Sequence, residues 1–450
     1  GVRQGGPAGG EDQGGGRGRW EWPGRDVTGS WGLLTEGGNL ASADVRRKPP
    51  PRGAGRRLAL AEVMPTTLRL GLVYAALYVG SAASTPFMPV WLSEKGLTGA
   101  QVGMVLSLPM LFQILTSPAL ALWADRFRLR RTPIAWLAAG TCAAYLALAG
   151  LDGLPALALA WLLAASLYLA LPPLIDVIAL SRAQAEGFNY GLPRGMGSAA
   201  YIGAAIATGA LVTAVSVDVA LGWMIFAAGL TAVCARFLLP PDPAPGPAAA
   251  GRSEGGGLEG LKTLVRDPVF LLAVGSAGLI QSAHAFYYAF SALAWKAQGL
   301  PENLTGLLWG VGVAVEVAFL WFGARLQRRL GPRNLLIIGG IAGVLRWSLL
   351  ALSPPLWALV PLQALHALTY SAVFLASIQL AARLSGPQTA SAAQLVNAAL
   401  QGGILSGLAT LASGPLFDAV GAHGYLAMTG MAALGLVGAL GLYRVRRLQD

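Results

Sequence analysis

Charged side chains are scarce in this sequence of 450 residues, and that scarcity excludes most soluble folds. Asp, Glu, Lys and Arg make up 12% of the chain, whereas hydrophobic residues make up 55% and the mean hydropathy is +0.57. Soluble domains carry about 25% charged residues. We therefore expect lipid, rather than water, to surround most of the chain.

Cysteine is almost absent as well, and the motifs of common enzymes are missing. Cys142 and Cys234 lie far apart in apolar runs, without a CxxC pair or a nearby histidine. This pattern excludes a disulfide framework and a zinc site, and we expect neither metal nor cofactor. The chain has no HExxH helix, no Gly-x-Ser-x-Gly elbow and no phosphate-cradling loop with a lysine, so an enzyme is not expected.

Residues 1–63 lack long apolar runs and are rich in Gly, Arg and Pro, with ten basic residues among them. This composition predicts a disordered tail. Met64 stands where a chain start is expected, so the tail is either an appendage absent from the native protein or a functional basic tail.

From Leu68 onward, apolar segments recur at the length that crosses about 30 Å of hydrocarbon. We predict twelve transmembrane helices. Their approximate spans are 68–92, 100–124, 133–151, 154–177, 195–216, 219–239, 268–293, 304–323, 335–352, 355–382, 391–413 and 421–443.

The predicted helices form two pseudo-symmetric halves of six, residues 64–239 and 268–450, joined by a linker over 240–267. The linker begins PPDPAPGPAAAGRSEGGG, in which Pro and Gly interrupt any helix. A short basic loop follows the second helix of each half, in the segments from Ala121 to Arg131 and from Gly323 to Arg333. Matching basic loops indicate a parallel internal repeat.

Basic residues near the helix ends set the orientation. Eighteen lie on one set of alternate loops and tails, and only Lys95 and Lys296 lie on the other. The positive-inside rule therefore places both termini in the cytoplasm, in a multi-pass protein of the cell inner membrane. Because the basic residues are loop residues, the net charge of +11 does not indicate nucleic acid. We expect a monomer in a lipid bilayer.

Very few ionisable residues lie within the predicted spans, and each is a functional candidate because a charge in hydrocarbon costs about 2.5–3.5 kcal/mol. Glu316 is mid-span in the eighth helix, where burial disfavours the charged form and suits the site to reversible protonation. Arg346 in the ninth helix lies within roughly 6 Å of Glu316 in depth along the membrane normal, and it is the expected counter-ion. His366 in the tenth completes the predicted proton-coupling group. A structural ion pair and a neutral histidine remain the alternatives.

Other polar residues recur at helical spacing, which places them on shared faces that predict a wet substrate-binding cavity. Interhelical hydrogen bonds, worth about 0.6 kcal/mol each, are the alternative for any one of them. The candidates on such faces are Tyr74, Tyr78, Gln281, His284, Tyr288, Gln363, Tyr370, Asn397 and Gln401. Gln113 is added for its mid-span position in the second helix, and Trp309 as an aromatic side chain that could wall the cavity.

The two repeat loops resemble the signature loop of the major facilitator superfamily: Asp125 and Arg126 match it, as do Gly323, Arg328 and Gly331. Gln327 stands where the family has an acid. A closer resemblance, to the phenylpropionate permease group near lactose permease and the nucleoside:proton symporters, rests on four segments. They are Asn189–Ser198, His284–Ser291 with Trp295, Leu308–Val317, and Arg346 with Trp347.

This resemblance implies a secondary active transporter that couples uptake of a small organic solute, such as an aromatic carboxylate, to protons by alternating access. Nucleosides or sugars suit the same groups, and nothing else in the sequence excludes a proton-antiporting exporter. A non-transporting membrane assembly factor is a remote alternative. Ion pairs among Asp125, Arg126, Asp176, Arg182 and Arg194 are expected to form a cytoplasmic gate that closes when the carrier opens outward.

Overall fold

Helices make up the regular structure in the part of the chain that the computed structural model describes, namely residues 64–241, 257–386 and 389–445. The predicted tail over 1–63 and the linker residues 242–256 lie outside the described residues. Within the described part, eleven helical stretches are long and apolar enough to cross a membrane by length and composition.

The amino-terminal half contains seven helices that form six of these stretches. The fourth predicted span continues to Glu186, nine residues further than expected, because Pro172 and Pro173 occupy the first turn of a helix, where proline is tolerated. The helices are α1 (Thr66–Glu94), α2 (Gly99–Ala124), α3 (Arg131–Ala149), α4 (Leu154–Leu169), α5 (Leu171–Glu186), α6 (Gly191–Ala214) and α7 (Asp218–Phe237).

The carboxy-terminal half follows a short helix, α8 (Gly257–Leu264), that lies within the predicted linker. Two stretches contain a π-helical turn, and α12 contains a non-helical residue, Gly331, with φ 69° and ψ 168°. The elements are α9 (Pro268–Ser282), α10 (Ala285–Ala297), α11 (Glu302–Phe322), α12 (Ala324–Leu350), α13 (Leu356–Ala364), π1 (Ala367–Ala372), α14 (Val373–Leu384), α15 (Ala390–Ala398), π2 (Ala399–Leu405), α16 (Ser406–Val420) and α17 (Tyr425–Gly441).

The last stretch, Ala390–Arg444, has 55 residues, which would extend over roughly 80 Å as one straight helix. Gly421 interrupts it with φ 55° and ψ −134°. Beyond this break the chain changes partners: α16 packs on α2, whereas α17 packs on α9 and α12. The count of twelve spans and the cytoplasmic position of both termini stay predictions.

Large apolar side chains cover much of the outer surface of the bundle. Leu115, Phe322 and Trp357 are 69%, 82% and 78% exposed, and many more leucines and valines accompany them. A soluble monomer rarely exposes apolar surface on this scale. The arrangement fits a protein whose outer surface contacts lipid.

Contacts between the halves seal one end of the bundle, which we call the opposite end because the basic loops lie at the other, the basic end. Asp418 on α16 accepts hydrogen bonds from the backbone N–H groups of Gly99 and Ala100 at the start of α2, at 2.8 and 2.7 Å. Lys296 Nζ lies 2.8 Å from Glu94 Oε1 across the same boundary.

Backbones also approach closely at the opposite end. A Cβ atom added at Gly306 of α11 would lie 2.1 Å from the carbonyl oxygen of Ala205 on α6. One added at Gly414 of α16 would lie 2.4 Å from the carbonyl oxygen of Gly99. Small residues thus permit a tight seal there.

Candidate transport site

A cavity between the two halves consists of two adjoining chambers, with volumes of about 520 and 200 Å³. Met110, Tyr288 and Thr410 line both, which makes the chambers neighbours. No charged side chain of the described residues lines either chamber.

The larger space, here the amide chamber, extends toward the basic end between α2, α14 and α15. Six of the predicted substrate-binding residues line it: Gln113, Gln281, Tyr288, Tyr370, Asn397 and Gln401. Gln394 and Phe374 complete much of the remaining wall. Polar stripes on separate helices therefore do converge on one cavity.

Hydrogen bonds fix most of the amides in the wall. Gln401 donates to Asn397 Oδ1, Asn397 Nδ2 lies 3.3 Å from Ser377 Oγ, and Gln394 Nε2 donates to the carbonyl oxygen of Ile378 at 3.0 Å. Gln281 Oε1, in contrast, is buried without a hydrogen-bond partner among the described residues. Because buried acceptors are rarely left unpaired, Gln281 is the candidate amide for binding a polar group of a ligand after a change of its side-chain rotamer.

Two π-helical turns shape this wall. Turn π1 follows His366 directly and contains Tyr370, while π2 contains Gln401. A π turn inserts a residue into the helix and redirects its side chains, and such turns are frequent at functional sites. Neither turn follows from the hydrophobic pattern of the sequence.

The smaller space, here the aromatic chamber, is lined by Tyr145, Trp161, Tyr168 and Tyr288, with the hydroxyls of Ser81, Ser84 and Thr85. Tyr145, Trp161 and Tyr168 are not among the residues predicted from the sequence to bind solute. An aromatic ring in an apolar helix packs equally well against lipid or another helix, so the sequence contains no signal that separates these three.

The predicted coupling residues form a chain of polar contacts on α11, α12 and the segment before π1. His366 Nε2 lies 3.5 Å from Glu316 Oε2, and Arg346 Nη1 donates to His366 Nδ1 at 3.1 Å. No ion pair links Glu316 directly to Arg346 within the described residues. The histidine therefore lies between the acid and its expected counter-ion.

Arg346 is fully buried and held by neutral acceptors. Its guanidinium donates to Thr369 Oγ1 at 3.1 Å and to Gln363 Oε1 at 2.9 Å. Its Cζ atom lies 4.7 Å from the ring centroids of both Tyr287 and Trp347. Since no carboxylate pairs with it in the described structure, the local charge is compensated by hydrogen bonds and cation–π contacts.

This geometry determines which nitrogen of His366 carries the proton. An arginine only donates, so His366 Nδ1 must accept and Nε2 carries the hydrogen of the neutral ring. The nitrogen that carries this hydrogen is the one 3.5 Å from Glu316 Oε2. A second proton on His366 would break its hydrogen bond to Arg346. Among these three residues, Glu316 is therefore the one that can gain or lose a proton while the bond between His366 and Arg346 is kept.

Three predicted substrate-binding residues lie behind the cavity wall instead of in it. His284 is buried, with Nδ1 2.8 Å from the carbonyl oxygen of Gln281 and Nε2 3.0 Å from Thr369 Oγ1. Gln363 accepts from Arg346 and from the Tyr287 hydroxyl, at 2.9 Å each. Trp309 stacks on Tyr287 with ring centroids 4.7 Å apart. These residues hold the polar chain in place.

Tyr74 and Tyr78 line neither chamber and belong to a cluster in the amino-terminal half. Asp176 accepts hydrogen bonds from the hydroxyls of Tyr74 and Tyr190, the latter at 2.8 Å. Burial, followed by the charge of Asp176, raises the pKa of Tyr190 to about 12, so its hydroxyl stays protonated and donates. Arg194 lies over the Tyr78 ring, with Cζ 4.4 Å from the centroid.

The remaining predicted gate residues lie at the basic end. Asp125 and Arg126 are exposed, and neither makes an ion pair in the part of the chain that the structure describes. Arg182 pairs with Glu186 one turn further along α5, at 3.2 Å. The cytoplasmic ion pairs of the gate are expected in the outward-open carrier, and they stay predictions.

A lipid-facing helical bundle with a cavity between two halves, sealed at one end, defines an integral membrane carrier. The family model of the MFS_1 like family matches residues 67–427, and the chain belongs to this branch of the major facilitator superfamily. The resemblance predicted from the signature loops is thereby confirmed, and so is the all-α membrane fold. The protein is a secondary transporter of this superfamily, and not an enzyme.

The chain is similar to several transporters along almost its whole membrane part. It is 30% identical over 384 residues to the probable 3-phenylpropionic acid transporter of Escherichia coli (strain K12), covering 83% of this chain and 96% of the relative. It is 29% identical over 362 residues to the maltose permease of Geobacillus stearothermophilus, covering 77% and 86%. The crystal structure of the nucleoside transporter NupG shares the fold, with a TM-score of 0.70, 16% identity, and coverage of 85% and 100%.

Proposed function

We propose that this protein couples the uptake of a small organic solute to protons, with Glu316 as the coupling acid. The observation that supports this most is the contact between Glu316 and the neutral N–H of His366 at the end of a buried polar chain. The Glu316 side chain is 23% exposed, whereas Arg346 is fully buried. Glu316 lines neither chamber, so the proposal requires a proton path to the acid outside these two linings, while the buried cation behind it stays fixed.

Protonation of Glu316 removes a charge from the boundary between the halves. The ionised carboxylate accepts from His366 and needs further polar groups or water around it. The protonated form tolerates an apolar contact. A proton thus changes the cost of packing Glu316 against the facing half, which is the coupling that a symporter requires.

The seal at the opposite end indicates which conformer the structure represents. With the basic end in the cytoplasm of a cell inner membrane, the amide chamber faces inward and the outer entrance is closed by Asp418 and the glycine contacts. Outward opening requires these contacts to part while the basic end closes. Alternating access of this kind requires a rocking motion of the halves and no partner chain, so we propose a monomer that binds its solute, protons and lipid but no nucleic acid.

An aromatic carboxylate is the solute that we propose first, because aromatic side chains and amides line adjoining chambers and a phenylpropionate transporter is among the relatives. The absence of charged side chains from both linings, within the described residues, favours a second candidate. A neutral solute such as a nucleoside or a sugar would also satisfy the amides. The maltose permease and nucleoside transporter resemblances accord with that class.

Uptake into proteoliposomes tests the proposal. The purified protein is reconstituted, an inward proton gradient is imposed, and accumulation of 3-phenylpropionate, uridine and maltose is measured against liposomes without protein. Accumulation of one solute that collapses with a protonophore supports the proposal. Equilibration without accumulation, or accumulation only under an outward gradient, contradicts proton-coupled uptake.

A further inference from the structure

The aromatic chamber contains no residue of the coupling chain in its lining, yet four aromatic side chains line it, three from the amino-terminal half and Tyr288 from the carboxy-terminal half. We propose that it is an aryl subsite, which binds a planar aromatic ring of the solute while the polar part of the same solute lies in the amide chamber. This inference rests on the proposed transport function and adds to it the class of solute.

The rings of the chamber are held in place by their surroundings. Tyr145 and Trp161 are buried and stacked, with centroids 6.2 Å apart and an interplanar angle of 30°. The Tyr168 hydroxyl donates to the carbonyl oxygen of Leu77 at 2.9 Å, which fixes the ring. Rigid rings bind a flat ligand with little loss of side-chain entropy, because nothing has to be ordered on binding.

The chemistry of the walls suits an aromatic ring with a hydrogen-bond acceptor. The Trp161 side chain lines the chamber, and its indole N–H, which is buried, has no hydrogen-bond partner among the described residues. Ser84 adds a hydroxyl on the facing helix, whereas the Thr85 hydroxyl is already bonded to the carbonyl oxygen of Ser81 at 3.0 Å. Since no charged side chain lines the chamber, an ionised group of the solute would find no counter-charge there.

The volume of the chamber limits what can enter. About 200 Å³ is smaller than the roughly 300–1,000 Å³ of pockets that hold a whole ligand, so the chamber takes one part of the solute. Tyr288 belongs to both linings and stands where the two parts of a bound solute would join. Beyond it, the unpartnered Gln281 Oε1 can accept from a donor on the polar part after a change of the side-chain rotamer.

A disaccharide has no aromatic ring to place in this chamber, whereas an aryl carboxylic acid or a nucleoside has one. The inference therefore keeps aryl acids and nucleosides among the candidate solutes of the proposed function and excludes sugars that have no aromatic ring. It predicts that an aromatic solute is preferred over its saturated analogue by about tenfold, the upper part of the range for ring–ring contacts.

The test uses matched pairs of solutes with the full-length protein in proteoliposomes: 3-phenylpropionate with 3-cyclohexylpropionate, and uridine with 5,6-dihydrouridine. Initial uptake rates at low concentration are compared for the native protein, Trp161→Leu, Trp161→Phe and the control Trp357→Leu. Trp357 is 78% exposed on the outer surface, so its replacement leaves the chamber intact. Thermal stabilisation of the purified proteins by the same solutes gives a readout that does not depend on coupling.

The expected result is an aromatic preference of about tenfold in the native protein and Trp357→Leu, reduced to threefold or less in Trp161→Leu and largely kept in Trp161→Phe. Tyr145→Leu replaces Trp161→Leu if the latter does not fold. Equal uptake rates and equal thermal stabilisation for both members of each pair overturn the inference. A preference that is unchanged in Trp161→Leu or Tyr145→Leu also overturns it. Transport or stabilisation by maltose alone overturns it while the transport function stands. Aromatic exchange without gradient-driven accumulation supports the subsite and removes the proton coupling.

Discussion

The carboxylate of Asp418 offers a direct way to perturb the seal at the opposite end. It accepts two backbone N–H groups at the start of α2, and so caps a helix that belongs to the other half. Loss of an N-cap costs about 0.5–2 kcal/mol, and the helix dipole adds about 0.3–1 kcal/mol for a charged cap. Because the contact is exposed, we expect Asp418→Ala to destabilise the sealed state by about 1 kcal/mol. This loss shifts the equilibrium between sealed and open states about fivefold.

Cysteine labelling measures this shift. Ser84→Cys, in the aromatic chamber, is introduced after Cys142 and Cys234 have been replaced by Ala, and a membrane-impermeant maleimide is added to right-side-out vesicles. Asp418→Ala should raise the labelling rate about fivefold, because the rate follows the population that is open outward. The matched control is Asp152→Ala, which removes an exposed ion pair with Lys95 inside one half.

Asp418→Asn should fall between the native protein and Asp418→Ala, since a carboxamide has one acceptor oxygen and no charge. An unchanged labelling rate in Asp418→Ala would refute the view that this cap holds the halves together. An equal increase in Asp152→Ala would assign the effect to lost surface charge and not to the cap.

Three further predictions concern other contacts. Gly306→Ala should slow transport at least tenfold, because its Cβ meets a carbonyl oxygen of α6 at 2.1 Å, while Gly430→Ala, with open space around it, should have the native rate in the same uptake assay. His366→Gln should keep gradient-driven accumulation better than His366→Ala, since a carboxamide can donate to Glu316 without taking up a proton; equal loss in both variants would contradict a fixed donor. Tyr190→Phe removes one of the two hydroxyls on Asp176 and should lower the melting temperature of the purified protein by a few degrees, and an unchanged melting temperature would show that this bond contributes nothing.

The amide stripes were predictable because a polar amide in a lipid-crossing helix is costly unless it faces water or a partner. Spacing therefore identified Gln281, Asn397 and Gln401 as candidates for one cavity, and a mid-span position identified Gln113. The same reasoning could not show that Gln363 lies behind the wall. Which helix faces which is set by packing between helices, and the period of one helix contains no information on that.

Depth along the membrane was predictable for the coupling residues, whereas lateral position was not. Helix rise placed Glu316 and Arg346 at similar depth, and the structure places His366 in the space between them. The π turn after His366 changes the direction of the side chains that follow it, which a 3.6-residue period cannot anticipate. The aromatic residues of the smaller chamber could not be predicted, because an aromatic residue is common in an apolar helix.

Glu316→Gln in proteoliposomes shows whether Glu316 takes up and releases the coupling proton. The carboxamide is close in size and permanently neutral, so it represents the protonated carrier. We expect accumulation driven by a pH gradient to be lost, while exchange of labelled solute across equilibrated membranes continues at a rate near the native one. Accumulation by Glu316→Gln at the native level would contradict this role of Glu316.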